Sequence, residues 1–160
     1  MERSRRKGEI RWISGSVVIA HGINNVEMGE IVEVGEEGLI GEVIRIIGDE
    51  FTVEIYENTS GLKPGEPVVA TGKRLVAELG PGLLNNILDG VGRPLEVLLK
   101  LKGPFMTRGV KINTLSRDKK WHFKPSAKIG DAVEGGDVIG TTQETKMVIH
   151  KIMIPPGTYG

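Results

Sequence analysis

The sequence contains no cysteine. That excludes disulfides, thiol chemistry and cysteine-ligated metal sites. Neither sign of charge is in surplus, because Lys+Arg and Asp+Glu each count 21. A nucleic-acid-binding chain normally carries a basic excess, so that class has no support. The one basic cluster, Arg3, Arg5, Arg6 and Lys7, sits at the amino terminus and reads as a solvated tail rather than a phosphate or lipid site. No apolar run approaches the ~18 residues of a membrane span, and no signal-peptide core follows Met1. The chain is therefore expected to be soluble and not itself to insert in a membrane. The phosphate-binding loop G-x-x-x-x-G-K-[ST] is also missing. The segment Gly103 to Gly109 begins like one, but its second glycine is one place late and Val110 follows where lysine is needed. Gly90-Val91-Gly92 lacks the third glycine of a dinucleotide fingerprint. Both read as turns.

What is present is glycine, 23 of 160 residues, about double the ~7% average and without a collagen period. Many tight turns between short strands follow. Phe51, Val53 and Ile55 alternate with Thr52, Glu54 and Tyr56, a period of two that buries one strand face. Gly48-Asp49 precedes this run and Asn58-Thr59-Ser60-Gly61 follows it, both turn signals. Leu39 to Ile47 is rich in β-branched residues, with Leu39, Val43 and Ile47 expected on one face. Further strands are expected over 8–13, 17–20 and 30–34, and Lys73 to Leu79 alternates again. Pro64-Gly65 and Thr71-Gly72 separate the pieces. Short strands with Gly-rich turns predict a small, closed or nearly closed β-barrel over residues 1–74.

Gly80-Pro81-Gly82 marks a boundary. Leu83, Leu84, Ile87 and Leu88 fall near one side of a predicted short helix, stopped by Asp89-Gly90. Leu95 to Leu101 reads as a helix or a strand. Residues 75–109 thus form a short mixed α/β segment. In residues 110–160, Trp121 and Phe123 flank His122 as in an alternating strand, and core packing is favoured over a base-stacking platform. Gly130-Asp131 and Gly136-Asp137 predict turns, with Val133, Val138 and Ile139 in a core. Val148 to Ile154 precedes the breaker Pro155-Pro156-Gly157. This pattern resembles the barrel-sandwich fold of biotinyl and lipoyl carrier domains. The predicted fold class is mainly β: a small barrel, a short mixed segment and a barrel-sandwich-like domain.

Three separated blocks carry a wider resemblance: Tyr56 to Glu96, RDKKWHFKP at Arg117 to Pro125, and HKIMIPPG at His150 to Gly157. Together, in this order, the chain resembles the N-terminal region of the catalytic A subunit of the V/A-type rotary ATPases and ATP synthases. The resemblance implies that residues 75–109 lead into a nucleotide-binding domain and that 110–160 belong to an outward-projecting bulge domain. It implies a hexamer of three A and three B subunits held by a crown of barrels, and a peripheral stalk touching the bulge. It further implies a cytoplasmic head peripheral to the membrane, and Mg-ATP bound in the complete subunit. The family's phosphate-binding lysine, magnesium ligand and general base have no counterpart here. No residue of this chain is assigned a catalytic, cofactor or metal role.

Individual candidates fare accordingly. His21 stands in an expected turn with no second ligand at metal spacing and reads as a solvated loop histidine. Glu54, Glu57 and Glu66 sit near strand ends or turns and make no arguable acid pair. Lys146 is the alternative site: it lies thirteen residues after Val133, a distance similar to that of the attachment lysine in carrier domains. Met147 follows it, but Thr145 occupies the place of the preceding methionine, so an unmodified surface lysine at a hairpin tip is expected.

Overall fold

The computed structural model describes residues 6–104 and 108–160. By compactness the chain divides into two units, Met1–Ala77 with Leu98–Lys111, and Glu78–Val97 with Ile112–Gly160. The first is built on six antiparallel strands: β1 (Arg6–Ser14), β2 (Val17–His21), β3 (Glu30–Val34), β4 (Leu39–Ile47), β5 (Glu50–Ile55) and β6 (Pro67–Arg74). They close into a barrel in the order β1-β2-β5-β4-β3-β6, with β6 pairing back onto β1.

Period-two alternation explains the interior. Val18 and Ala20 of β2, Val32 and Val34 of β3, Phe51, Val53 and Ile55 of β5, and Val68 and Ala70 of β6 all point into a closed core. Val53 is the register partner of both Val18 and Val43, and Phe51 that of Ala20. Gly41 is required by close approach: a Cβ there would stand 2.5 Å from Val53 Cγ1 and 3.0 Å from the Glu54 carbonyl oxygen.

Alternation fails at Ile47. The β4–β5 register shifts between Val43 and Arg45, and such a bulge re-aims every residue beyond it. Leu39 and Val43 face inward, whereas Ile47, the partner of Glu50, faces outward at 59% exposure; Ile44 is exposed at the bulge, and Ile46, the partner of Phe51, is exposed at the mouth of the barrel. Thr71-Gly72 does not end a strand either; it lies inside β6, with Gly72 at φ 73°. The expected strand over 73–79 stops at Arg74, the partner of Glu30 where β3 begins. Leu75, Val76 and Leu79 lie past β6, outside any strand, and are exposed.

The basic tail is also corrected. Arg6 and Lys7 belong to β1, while Arg3 and Arg5 lie outside the described residues. Arg6 Nη2 donates to Glu30 Oε1 at 2.6 Å. The same oxygen accepts from the Gly72 N–H at 2.7 Å, and Glu30 Oε2 accepts from the Glu27 N–H at 3.0 Å. Glu30 is only 2% exposed. Its carboxylate therefore ties β1, β3 and β6 together at the seam of the barrel.

Residues 83–88 form turns rather than a helix. Asn85 has φ 65°, which an α-helix cannot accommodate, and Leu88 instead bridges to Pro94. Leu84 and Ile87 are exposed. The helix that does form, α1 (Leu95–Lys102), follows Pro94 and carries Glu96 in its first turn and Lys100 and Lys102 in its last, charges that complement its dipole. Gly103, at φ 82°, ends it by donating to the Leu99 carbonyl at 2.9 Å.

Strands β7 (Phe123–Pro125), β8 (Val138–Gln143) and β9 (Ile149–Met153) form an antiparallel sheet in that order. Trp121 lies before β7 rather than in it, and is half-buried, while Phe123 is exposed with its ring across Gly140. The Gly-Asp turns form as expected: Asp131 Oδ2 accepts from the Lys128 N–H at 2.8 Å and Asp137 Oδ2 from the Glu134 N–H at 2.9 Å. Val133 and Ile139 are half-buried, but Val138 is exposed and residues 129–133 form no strand. A register shift between Val138 and Gly140 turns Val138 out of the expected core. No helix among the described residues is long and apolar enough to cross a membrane.

Phe51→Ala is expected to destabilise the barrel by ~3–5 kcal/mol, lost burial and residual cavity together. A shift of the urea midpoint, read on the tryptophan emission and far-ultraviolet circular dichroism, checks it.

Candidate functional site

The glycines first considered for phosphates have structural work instead. Asp89 Oδ1 accepts from the N–H groups of Val91, at 3.1 Å, and Arg93, at 2.8 Å, while Oδ2 takes Arg93 Nε at 2.7 Å. Burial pushes the Asp89 carboxyl up, but these donors outweigh it and hold it below the ordinary carboxylate range. Gly92, at φ 85°, closes the turn. Its carbonyl accepts from Thr114 Oγ1 at 2.8 Å. The amides of Val91 and Arg93 thus point at an internal carboxylate and that of Gly92 at the Asp89 carbonyl, so none of the three is offered to a phosphate. Of the 103–109 segment, residues 105–107 lie outside the described residues.

Arg108 and Gly109 fasten to the barrel unit. The Arg108 guanidinium makes a two-pronged contact with Glu37, Nε to Oε2 at 2.9 Å and Nη2 to Oε1 at 2.6 Å. The Gly109 N–H donates to Glu57 Oε1 at 3.2 Å and the Ile40 N–H to Glu57 Oε2 at 3.3 Å. Lys111 pairs with Glu33 at 2.7 Å. Glu57 is therefore a backbone acceptor. Glu54 faces outward on β5, and Glu66 gives its carbonyl to the Ile10 N–H at 2.9 Å. Tyr56 donates its phenol to Glu42. That bond to a carboxylate, with burial, pushes the phenol up to about 12. His21 ends β2 rather than lying in a turn, with Glu9 and Glu50 as register partners. Among the described residues no group of three or more acidic or histidine side chains is arranged to hold a metal ion.

A cleft of about 210 Å³ is lined by Trp121, Lys119, Asn86, Thr114 and Ser116 among others. The Lys119 ammonium sits 4.0 Å from the indole centroid, so the aromatic face is covered by a cation of the same chain. The lining holds neither carboxylate nor imidazole and hence no acid–base pair.

Lys146 stands exposed in the β8–β9 turn, beside Met147 at 94% exposure. The turn is tightly built. Thr145 Oγ1 accepts from the N–H of Met147 at 3.3 Å and of Val148 at 3.1 Å. Gln143 Nε2 donates to the Thr145 carbonyl at 2.6 Å. The residue that sequence reasoning missed is Glu144 at the base of this turn. Its side chain is 4% exposed, and Oε1 accepts from the N–H groups of Gly82 at 2.8 Å and Leu84 at 3.0 Å. His150 Nδ1 lies 3.7 Å from Oε2. Burial pushes the Glu144 carboxyl up, yet the two amides and His150 outweigh it, so the group lies below its ordinary range. No local signal announces this role, because its partners are about sixty residues away.

The lowered carboxyl fixes the sign of a pH effect. A folded-state pKa below the unfolded one adds stability that is complete above the unfolded value and lost as pH falls through the folded value. The protection of the Gly82 and Leu84 amides, relative to intrinsic exchange at the same pH, is therefore expected to be high at neutral pH and to fall selectively in acid. Glu144→Ala should abolish the protection at all pH values and cost ~1–3 kcal/mol, since two donors lose their acceptor.

Two family models match the chain. The ATP synthase alpha/beta family β-barrel domain matches residues 10–72, and the ATP synthase alpha/beta subunit barrel-sandwich domain matches residues 112–160. The A subunit of the A-type ATP synthase of Thermofilum pendens is 58% identical over 98% of this chain and 26% of that protein. The Pyrococcus horikoshii protein of the same name is 54% identical over 96% of this chain and 16% of its own length. A V-type ATP synthase alpha chain from a Thermoanaerobacter species is 51% identical over 96% and 26%. The chain thus spans about a quarter or less of the length of these curated relatives. With a closed barrel over the first matched segment, a three-stranded sheet in the second and this identity along nearly all its length, the chain belongs to the ATP synthase alpha/beta family, with the A subunits of the A-type enzymes and the alpha chains of the V-type enzymes.

Proposed function

We propose that this chain supplies the assembly and stator-contact part of the catalytic subunit of an A-type or V-type ATP synthase. The complete enzyme couples ATP synthesis or hydrolysis to proton or sodium movement. Residues 1–74 act as the crown barrel, 75–109 as the entry to the nucleotide-binding domain, and 110–160 as bulge domain. Mg-ATP belongs to the complete subunit, and no residue here is assigned to it. The partners are B subunits, in a hexamer of three A and three B, and a peripheral stalk that meets the bulge. The assembly is a cytoplasmic head peripheral to the membrane. Supporting this reading above all is the closed barrel whose β4 bulge leaves Ile44 and Ile47 exposed on the outside. A closed barrel offers no free strand edge, so association falls to such outward side chains.

Mixing this chain with a B subunit is expected to give a complex on size-exclusion chromatography. Ile47→Asp, outside the core, should weaken that complex without unfolding the barrel. Full B binding by residues 110–160 alone would overturn the assignment to the barrel.

The chain alone should neither bind nor hydrolyse ATP. The amides of Val91, Gly92 and Arg93 are taken by Asp89, and no loop of the required pattern is present. Calorimetric titration with Mg-ATP is expected to give no micromolar binding.

A further inference from the structure

We propose that the cleft lined by Lys119 and Trp121 is a binding site for a small aromatic carboxylate, with Lys119 recognising its charge. The site goes beyond the assembly role and does not depend on it.

Every residue of the lining belongs to the second compact unit. The volume of about 210 Å³ falls below the ~300–1,000 Å³ that drug-sized ligands occupy, so it suits a molecule of one ring. Two kinds of surface meet there. Pro81, Pro94, Val97 and the indole of Trp121 supply apolar walls, and Lys119 is the only charged residue of the lining. Most other polar groups are already engaged. Thr114 Oγ1 donates to the Gly92 carbonyl at 2.8 Å, Asn86 Nδ2 donates to the Gly82 carbonyl, and the Gly82 N–H donates to Glu144. Two donors are left over. The Lys119 ammonium rests on the indole, 4.0 Å from its centroid, and has no carboxylate partner among the described residues. Ser116 Oγ accepts from the Lys119 N–H at 3.3 Å, which leaves its own proton free to donate.

The neighbouring carboxylates do not cancel this charge. Glu78 pairs with Arg117, Asp89 with Arg93, and Glu144 takes the Gly82 and Leu84 amides. Glu96 and Asp118 lie outside the lining. A cationic ligand would be repelled by the ammonium. A phosphate dianion would find one cation and one hydroxyl against prolines and valine, too few donors to replace its water. A flat ring against Pro81, Pro94 and Val97, with a carboxylate bonded to Lys119 Nζ and Ser116 Oγ, satisfies both surfaces. The indole holds the ammonium in place before any ligand arrives, which lowers the ordering cost of binding.

The test titrates the whole isotope-labelled chain with benzoate and follows the indole N–H resonances by NMR. Trp12 and Trp121 are the two tryptophans, so Trp121→Phe assigns both signals. Benzoate is expected to move the Trp121 signal saturably, with a Kd of about 1 mM as suits so small a probe, and to leave Trp12 in place. Benzamide keeps the ring without the charge, and acetate the charge without the ring. Each should bind about tenfold more weakly or worse, since a charge-assisted bond or the ring contact is lost. Lys119→Gln should weaken benzoate about fivefold or more and leave benzamide unchanged, while Lys119→Arg should retain most of the affinity. Lys119 is exposed, so circular dichroism of both variants should match the wild type. An unmoved Trp121 signal would overturn the site, as would equal affinity for benzoate and benzamide. Full benzoate binding by Lys119→Gln would overturn the role given to Lys119.

Discussion

A closed barrel must join its last strand to its first, and here that closure depends on one buried carboxylate. Glu30 sits at 2% exposure with Arg6 of β1 and the Gly72 amide of β6 as donors. A charge so placed is tolerable only when paired and hydrogen-bonded. Removing either partner would leave the other uncompensated in a desolvated place. The pairing thus selects one register of β1 against β6 and of β6 against β3. Every inward residue of the core then follows from period-two alternation, because a one-residue slip would turn each strand inside out.

The second unit repeats the device with different donors. Glu144 takes two backbone amides of the 80–84 turn, and Asp89 takes two more plus a guanidinium. Loop segments that form no ladder still satisfy their N–H groups, but with buried acids instead of neighbouring strands. Glycine and asparagine at positive φ make the turns, and carboxylates hold them. Acidic residues that a catalytic reading would enlist are thereby occupied in folding.

Local pattern made much of this legible. The alternation of Phe51, Val53 and Ile55, the Gly-Asp turns at 130–131 and 136–137, and the exposed turn at Lys146 all express forces that act within a few residues. The family was legible too, since three ordered blocks spread along the chain exceed what composition can mimic. What escaped was set by distance. Glu30 and Gly72 are 42 residues apart, and Glu144 and Gly82 are 62; no window of sequence contains both. The bulge at Val43 to Arg45 escaped for another reason: it adds a residue without a glycine or proline to mark it. The helix expected at 83–88 does not form because Asn85, the first of two consecutive asparagines, takes a positive φ that interrupts the apolar spacing.

The two sheets differ in how they meet the danger of uncontrolled strand addition. Closure removes all edges from the barrel, so its outward isoleucines cannot recruit a foreign strand through backbone hydrogen bonds. The β7–β8–β9 sheet is open and has two outer strands. Strand β7 is three residues long and ends at Pro125, and β9 runs out at Met153 shortly before Pro155-Pro156. Proline lacks the donor that an added strand would need, and a short strand offers few rungs. Each outer strand is thus blunted at one end, and a fibril-like stack started there would find no continuous ladder to extend.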